Sequence, residues 1–269
     1  GDTSNVALAA ARLGLSVAYV TAVGDDAYGA RFVALWKERG VDTSFVRIDP
    51  SRNTGLYVID FQDGEHRFAY YRRGSAASAL ELDEEHLRRI ASARMVHLSG
   101  ISQAISAGMT ELSFRLMRVA KELGAMISYD VNYRAPLWSR DHASAIVAHT
   151  IGGFADVVSV NRSELFDLGL AESAEQFLFG ESAGKRAVAV RDGADGAIIT
   201  VGDEQLKRPA FPVEVRDTVG AGDAFDAGLI AAILNGQGAA DALSVANAAA
   251  ALSCRGVGPT DMQPTWEEI

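Results

Sequence analysis

Residues 216–223 have the sequence Arg-Asp-Thr-Val-Gly-Ala-Gly-Asp, and small and apolar residues with a helical pattern follow at 224–234. Gly220 and Gly222 can adopt backbone turn geometries that are closed to other residues. Because the turn ends where the helix begins, unpaired N–H groups and the positive end of the helix dipole face the same space. The pattern predicts an anion-binding turn suited to a phosphoryl group, with Asp223 placed to accept a proton from a hydroxyl.

The same stretch has a purely structural alternative. Glycine-rich turns often precede helices, and aspartate is a common N-cap residue, so Asp223 could serve only to cap the helix. The rest of the chain must decide between the two interpretations.

Composition limits the classes of protein and partner. The chain has 269 residues, enough for one large α/β domain or two small ones, with 48% hydrophobic and 22% charged residues. The net charge of −10 argues against nucleic acid or an anionic membrane as partner, but not against ATP. The single Cys254 excludes internal disulfides and fits a cytoplasmic location, and no apolar run approaches the ~20 residues of a membrane span.

Most of the chain alternates helix, glycine and short apolar strand. Helices are predicted at 5–13, 26–39 and 112–123, each followed by a glycine. Strands are predicted at 16–23, 95–98, 125–129, 157–160, 187–190 and 197–201. This alternation indicates an α/β fold with a mostly parallel central sheet and right-handed crossovers.

One region departs from this alternation. Residues 54–60 and 66–72 alternate like two strands around a turn at 62–65, with no helix between them. With strand 16–23 they are predicted to form a small separate sheet, a lid over the main one. Tyr70 and Arg72 share one face of the hairpin, where they suit a carboxylate or hydroxyl ligand; a solvated edge strand is the alternative.

Polar residues follow several predicted strands. Ligands of an open parallel sheet bind at the carboxyl ends of its strands, so these residues are predicted to share a site: Asp130, Asn132, Arg134, Asn161, Glu164, Arg191 and Gly193. A stretch at 180–186 superficially resembles a phosphate-binding Walker A loop. It is one residue short between its glycines and has Arg186 in place of the required Ser or Thr, so an ordinary loop is expected there.

Four motifs together resemble one family. Residues 217–223 match the DTxGAGD motif of the ribokinase-like, phosphofructokinase-B type carbohydrate kinases. Residues 1–5, 23–29 and 161–164 resemble the family's GGDxxN, VGxDxxG and NxxE elements, in the same order. The resemblance implies a single domain over 1–269: a three-layer αβα sandwich with a mostly parallel sheet and a small β-sheet lid. The family normally has a further strand before these residues, so an N-terminal strand is expected to be missing from this sequence.

The resemblance also implies chemistry. Asp223 would be the general base, and the amides of Gly220, Ala221 and Gly222 would stabilise the transferring phosphoryl group of ATP. Mg²⁺ would be held mainly by ATP and water, with Glu164 acting indirectly through water, and a monovalent cation is a further possible cofactor. A homo-oligomer formed through the lid is also expected. The residues implied in ATP binding are Asn132, Asn161, Arg191, Gly193, Gly196, Gly220, Gly222 and Asn247.

Within the family, residues 54–57, 70–76 and 130–134 resemble the kinases of 2-keto-3-deoxygluconate. That resemblance implies that the sugar acid, phosphorylated on its C6 hydroxyl, is bound by Asp2, Asn5, Tyr57, Tyr70, Arg72, Arg134 and Asp223. One departure weakens the substrate assignment: Arg255-Gly256 is followed by Val257, where some family members have an acidic residue. A fructokinase or ribokinase is the alternative within the family, and a non-catalytic sugar sensor or scaffold is the alternative outside catalysis.

Overall fold

The computed structural model describes residues 1–62 and 65–269, so the centre of the turn predicted at 62–65 lies outside the described residues. The strands are β1 (Thr21–Gly24), β2 (Val46–Asp49), β3 (Leu56–Gln62), β4 (Glu65–Tyr71), β5 (Met95–Ser99), β6 (Met126–Asp130), β7 (Val157–Asn161), β8 (Ala187–Arg191), β9 (Ala197–Val201) and β10 (Glu204–Arg208). The helices are α1 (Asp2–Arg12), α2 (Ala27–Glu38), α3 (Glu84–Ala91), α4 (Gly100–Ala104), α5 (Ala107–Leu123), α6 (Arg140–Gly153), α7 (Arg162–Asp167), α8 (Ala174–Glu181), α9 (Ala221–Leu234) and α10 (Ala239–Ser253).

The central sheet has the strand order β10-β9-β8-β7-β6-β5. Strands β5 to β8 run parallel, whereas β9 and β10 are antiparallel to their neighbours. Helices α1, α9 and α10 pack together against one face, and α3, α5 and α8 pack on the strands from the other. The predicted α/β sandwich with a mostly parallel sheet and a small antiparallel hairpin is therefore confirmed.

The sheet is buried on both faces because alternate residues of its strands enter two different cores. On β8, Val188 and Val190 pack among apolar residues of one face, while Ala187 and Ala189 pack with α9 and α10 on the other. The small side chains on the second face let those helices lie close to the strands. Continuous apolar strands of this kind are typical of parallel sheets covered on both sides.

The predicted three-stranded lid is wrong in one strand. Of residues 16–23, Thr21 to Val23 belong to β1, which pairs in parallel with β2 in a separate two-stranded sheet, and Ala18 forms an isolated parallel bridge with Asp42. The reason is the connection: α2 carries the chain from β1 to β2 in a β-α-β crossover, which aligns the two strands in parallel. Strands β3 and β4 form the lid hairpin on their own, with Tyr57 opposite Tyr70.

The helix predictions hold with shifted ends. Helix α5 begins five residues before the predicted 112, because Ser106 caps it by accepting a hydrogen bond from the Met109 amide. It ends at Gly124, whose φ of 76° is the left-handed cap expected from the sequence. The Walker-like stretch at 180–186 is the end of α8 and the loop to β8. Within the described ranges, the helices are too short or too polar to cross a membrane.

Candidate active site

A cleft of about 910 Å³ lies where the carboxyl ends of the central strands meet α1, α9 and the β3–β4 hairpin. The structure brings every residue predicted for the site to its walls: Asp2, Asn5, Tyr57, Tyr70, Arg72, Asn132, Arg134, Asn161, Glu164, Arg191, Gly193, Gly196, Gly220, Ala221, Gly222, Asp223 and Asn247.

The glycine-rich turn leads directly into α9, as the sequence predicts. Gly220 precedes the helix with φ 84°, and a Cβ on it would lie 2.5 Å from the Cβ of Pro259. Both the left-handed backbone and the close proline therefore require glycine there. The amide of Ala221 is not available as expected, because it donates to the carbonyl oxygen of Thr218 at 3.2 Å. Gly220 and Gly222 remain the candidate amide donors to a phosphoryl group.

Asp223 lies in the first turn of α9, where it faces α1. Asn5 Nδ2 donates to Oδ2 of Asp223 at 2.7 Å. Burial, followed by the negative charge of Asp2, raises the pKa of Asp223 to about 7, and the Asn5 hydrogen bond opposes this rise. A carboxylate with a pKa near neutrality is well matched to removing a proton from a hydroxyl.

The first turn of α1 is fixed by side chains from other elements. Ser99, at the end of β5, donates its hydroxyl to Oδ2 of Asp2. Trp36 of α2 donates its indole N–H to the hydroxyl oxygen of Ser4 at 2.8 Å. Asp2 and Asn5 are three residues apart and face the same cleft. The sequence reasoning missed Ser99, whose place as the last residue of an apolar strand was the available signal.

The hairpin presents an aromatic and cationic cluster to the cleft. The Tyr57 and Tyr70 ring centroids are 6.4 Å apart, and the Arg72 guanidinium carbon lies 5.4 Å and 5.8 Å from them. Burial, and then the charge of Asp223, raises the pKa of the Tyr57 hydroxyl, which keeps it protonated and able to donate. Tyr71 points away and is 65% exposed, as strand alternation predicts.

Arg134 already has a carboxylate partner. Its Nη1 lies 2.9 Å from Oε1 of Glu164, whose Oε2 accepts the main-chain N–H of Asn161 at 3.2 Å. Burial, followed by the charge of Asp130, raises the pKa of Glu164. Arg134, which the resemblance assigns to sugar-acid binding, therefore lines the cleft while it contacts a buried acid on the neighbouring strand end.

Arg191 is held beneath the turn in a buried ion cluster. Its Nη2 lies 2.6 Å from Oδ1 of Asp130, and its Nη1 lies 3.4 Å from Oδ2 of Asp226. A Cβ on Gly222 would be 2.6 Å from Arg191 Nη1. Arg191, which the resemblance assigns to ATP binding, thus lines the cleft with its charge paired with two aspartates. Asp226 was missed, although an acidic residue inside an otherwise apolar helix is itself a sign of a buried pair.

The far end of the cleft has a lining of small and apolar residues. Ala250 and Ala251 of α10 line it together with Asn247, whose Nδ2 donates to the carbonyl oxygen of Pro209 at 3.2 Å. Gly196 serves packing, because a Cβ there would lie 2.1 Å from the carbonyl oxygen of Arg208. The structure thus makes Gly196 a site for close approach of two chain segments.

Asn132 lines the cleft next to the ion cluster with an unusual backbone. Its φ is 38°, in the left-handed region, and it is buried. Its Oδ1 is buried, and none of the described residues hydrogen-bonds to it. A buried acceptor without a partner is costly, so this oxygen is suited to a ligand, a cation or water that reaches the cleft.

Comparison with known proteins places this geometry in context. The sequence profile described as pfkB family carbohydrate kinase matches residues 1–266. The chain is similar to 2-dehydro-3-deoxygluconokinase of Bacillus subtilis (strain 168), with 34% identity over 283 residues that cover 100% of this chain and 84% of that protein. It is similar to Fructokinase-1 of Zea mays, with 32% identity over 290 residues that cover 100% of this chain and 86% of that protein.

A solved structure agrees with these sequence matches. The structure described as a putative Ribokinase II in complex with ATP and Mg²⁺ from E. coli has a TM-score of 0.90 and 25% identity. The match covers 100% of this chain and 86% of that one.

Proposed function

Because the chain belongs to the pfkB family of carbohydrate kinases, we propose that it transfers the γ-phosphoryl group of ATP to the C6 hydroxyl of 2-keto-3-deoxygluconate. The product is 2-keto-3-deoxy-6-phosphogluconate. The observation that carries this proposal is the placing of Asp223, with its pKa of about 7, opposite the Tyr57–Tyr70–Arg72 cluster in one cleft. One end of the sugar acid is recognised by the cluster and the other is activated by the carboxylate.

The residues of the cleft supply the proton acceptor and the charge stabilisation that the transfer needs. Asp223 takes the proton of the substrate hydroxyl while the hydroxyl oxygen forms a bond to the γ-phosphorus. The bond from that phosphorus to the bridging oxygen breaks, and ADP leaves with the electron pair. Amides at Gly220 and Gly222, at the start of α9, stabilise the charge on the transferring group.

Positioning supplies much of the remaining rate. The hairpin lies over the sugar end of the cleft, where Tyr57 and Tyr70 exclude water, which would otherwise compete as the phosphoryl acceptor. Asp2 and Asn5 bind sugar hydroxyls and fix the reacting one near Asp223, an arrangement that removes much of the entropic cost of the transfer.

The residues present fit a magnesium nucleotide. Mg²⁺ prefers oxygen ligands and keeps several waters. The carboxylate of Glu164 and the buried Oδ1 of Asn132 both supply oxygen to this part of the cleft. When bound, the ion would neutralise charge on the β- and γ-phosphates. Glu164 would orient its water shell, with Arg134 fixing the Glu164 carboxylate.

Arg72 favours a sugar acid over a neutral sugar. A guanidinium at the sugar end of the cleft pairs well with the carboxylate of an open-chain sugar acid, which fructose and ribose lack. Fructokinase activity is the second candidate, supported by the 32% identity to the maize fructokinase against 34% for the Bacillus enzyme. A non-catalytic sensor would have no use for a near-neutral carboxylate beside a phosphate-binding turn.

One assay tests the proposal directly. ADP formation is measured with ATP and Mg²⁺ on a panel that contains 2-keto-3-deoxygluconate, gluconate, fructose and ribose. The sugar acid is expected to give the highest kcat/KM. A higher kcat/KM for fructose or ribose would reject the sugar-acid assignment while leaving a sugar kinase, and turnover of none would favour the sensor.

The outer face of the hairpin supports a homodimer. Val58 and Tyr71 are 51% and 65% exposed on the face that points away from the cleft. Pairing of two such faces, one from each copy, would cover these side chains and fix the position of both hairpins. Size-exclusion chromatography with light scattering should give a dimer that Tyr71→Glu converts to a monomer; a wild-type monomer would contradict this association.

A further inference from the structure

Gln263 lies in the C-terminal segment that follows α10, residues 255–269, and is 2% exposed. Its Nε2 donates to the main-chain oxygen of Asn5 at 2.9 Å and to that of Pro259 at 3.0 Å. A buried amide from the end of the chain thus holds the main chain of a residue in the first turn of α1.

The same short segment also supports the anion turn. Pro259 packs against Gly220, and the main-chain N–H of Gly258 donates to Oδ2 of Asp217 at 2.8 Å. Residues 258–263 therefore touch both halves of the site, namely α1 on the sugar side and the turn before α9 on the phosphate side.

Two hydrogen bonds in series connect this segment to the carboxylate of Asp223. Gln263 binds the main chain of Asn5, and the Asn5 side chain donates to Asp223 at 2.7 Å. The three residues come from three separate elements, and Asn5 is 218 positions from Asp223 and 258 positions from Gln263. Movement of the Asn5 main chain would change the contact that orients Asp223.

We propose that Gln263 is a positioning residue, which holds the main chain of Asn5 so that the Asn5 amide stays in place against the carboxylate of Asp223. This inference rests on the proposed role of Asp223 as the general base. Gln263 itself does not touch the substrate in this arrangement; it acts through Asn5.

A role in filling space alone explains the buried Gln263 side chain less well. Its Oε1 is buried, and no partner for it occurs among the described residues. An apolar side chain of similar length would occupy the same space without the cost of an unsatisfied amide oxygen. The contribution of the amide therefore lies in the two hydrogen bonds that it donates.

The charged and titratable groups around Asp223 come from several elements. They are Asp2 of α1, Tyr57 of β3, Asp130 of β6 and Arg191 of β8. Substitution of Gln263 changes none of them. The hydrogen bond from Asn5 lowers the pKa of Asp223, so loosening Asn5 raises that pKa and moves the acidic limb of the activity profile to higher pH.

Gln263→Met is the test, because methionine has a similar length and no donor. Turnover of the best substrate should fall about tenfold, since small misplacement of a catalytic group is costly. Full loss of a hydrogen bond to a carboxylate would raise its pKa by ~1–2 units. Because the Asn5 contact is only loosened, the acidic limb of the kcat/KM profile should move to higher pH by about half a unit. KM for ATP should stay within about twofold. Gln237→Met, in the loop between α9 and α10, is the matched control and should leave the limb in place.

A double substitution separates positioning from general loss of structure. In an Asn5→Ala background the side chain that contacts Asp223 is gone, so adding Gln263→Met should produce no further shift of the limb. An additive shift, or an unchanged limb and kcat in Gln263→Met, overturns the inference. If Gln263→Met does not fold, Gln263→Asn, whose amide is withdrawn by one methylene, is measured in the same way.

These results are distinct from a failure of the proposed function. Retained turnover in Asp223→Asn would show that Asp223 is not the general base. The positioning role of Gln263 would then be rejected with it. Abolished turnover in Asp223→Asn with a normal profile in Gln263→Met would reject the positioning role alone.

Discussion

Arg191 lies directly beneath Gly222, so close that a Cβ on this glycine would be 2.6 Å from Nη1 of the guanidinium. Asp130 and Asp226 hold the guanidinium from two sides. The glycine in the turn is therefore required by the residue packed under it as well as by any phosphate above it.

Gly222→Ala should lower kcat at least tenfold, because Arg191 is fixed in its ion cluster and cannot move away cheaply, so the turn itself must shift. The melting temperature should fall as well. Steady-state kinetics and thermal denaturation check both. Gly180→Ala is the control, since a Cβ there meets no neighbouring atom and α8 should gain slightly in stability. A well-folded Gly222→Ala variant with normal kcat would show that the turn is not an anion site.

Asp223→Asn should reduce kcat by ~10²–10⁴, because an amide cannot accept the hydroxyl proton. Binding of sugar and of ATP, measured by calorimetry, should change little. Asp203→Asn, on the exposed turn between β9 and β10, is the control and should behave as wild type. A variant of Asp223 that retains about a tenth of wild-type kcat or more would contradict the role as base.

Activity should depend on pH through Asp223. Its pKa is raised to about 7 and the base must be ionised, so kcat/KM should fall about tenfold per unit as pH drops below 7. Asp2→Asn removes the charge that contributes to this rise, so the acidic limb should move to lower pH even though sugar binding weakens. The profile of kcat/KM from pH 5 to 9 measures both effects. An acidic limb near pH 4 in the wild type would contradict the burial argument.

Arg72→Ala should raise KM for 2-keto-3-deoxygluconate about 10–150-fold, which corresponds to loss of a charge-assisted contact of roughly 1.5–3 kcal/mol. KM for ATP should be unchanged. The exposed neighbour Arg73 supplies the control Arg73→Ala. Fructose serves as the control substrate: it has no carboxylate, so its KM should hardly respond. Equal losses for both sugars would mean that Arg72 supports the hairpin rather than the ligand.

Arg134 and Glu164 should act as a unit. Arg134→Ala leaves a buried carboxylate unpaired, so it should impair use of magnesium nucleotide as well as of the sugar acid. In a double-mutant cycle with Glu164→Gln, the losses in kcat/KM should be non-additive by at least about 0.5 kcal/mol. Strictly additive losses in kcat/KM would show that the two residues act independently.

The sequence was sufficient to predict which residues line the cleft, but not which of their side chains contact one another. The carboxyl ends of parallel strands must meet at one edge, and for that reason Asn132, Asn161 and Arg191 could be assigned to a common cleft from local pattern alone. The partners of Arg191 could not be assigned, because Asp130 is 61 positions away and many polar residues compete for the same place. Side-chain pairing across distant elements depends on packing, which local pattern does not encode.

The pairing of β1 was beyond prediction for a related reason. An apolar run specifies a strand, but not which of several available edges it joins. Gln263 had no local signature at all: a lone glutamine between Met262 and Pro264 gives no sign that its amide reaches Asn5 at the other end of the chain.

Among the residues that the structure describes, the hairpin forms a two-stranded sheet of its own, with no ladder to the central strands. Tyr57, Tyr70 and Arg72 of the hairpin line the same cleft as the turn before α9, but they belong to a separate element. Under the proposed function, substitutions in the hairpin can therefore change the preferred substrate without altering the turn before α9. This separation would explain why the chain has similar identity to a 2-dehydro-3-deoxygluconokinase and to a fructokinase, at 34% and 32%.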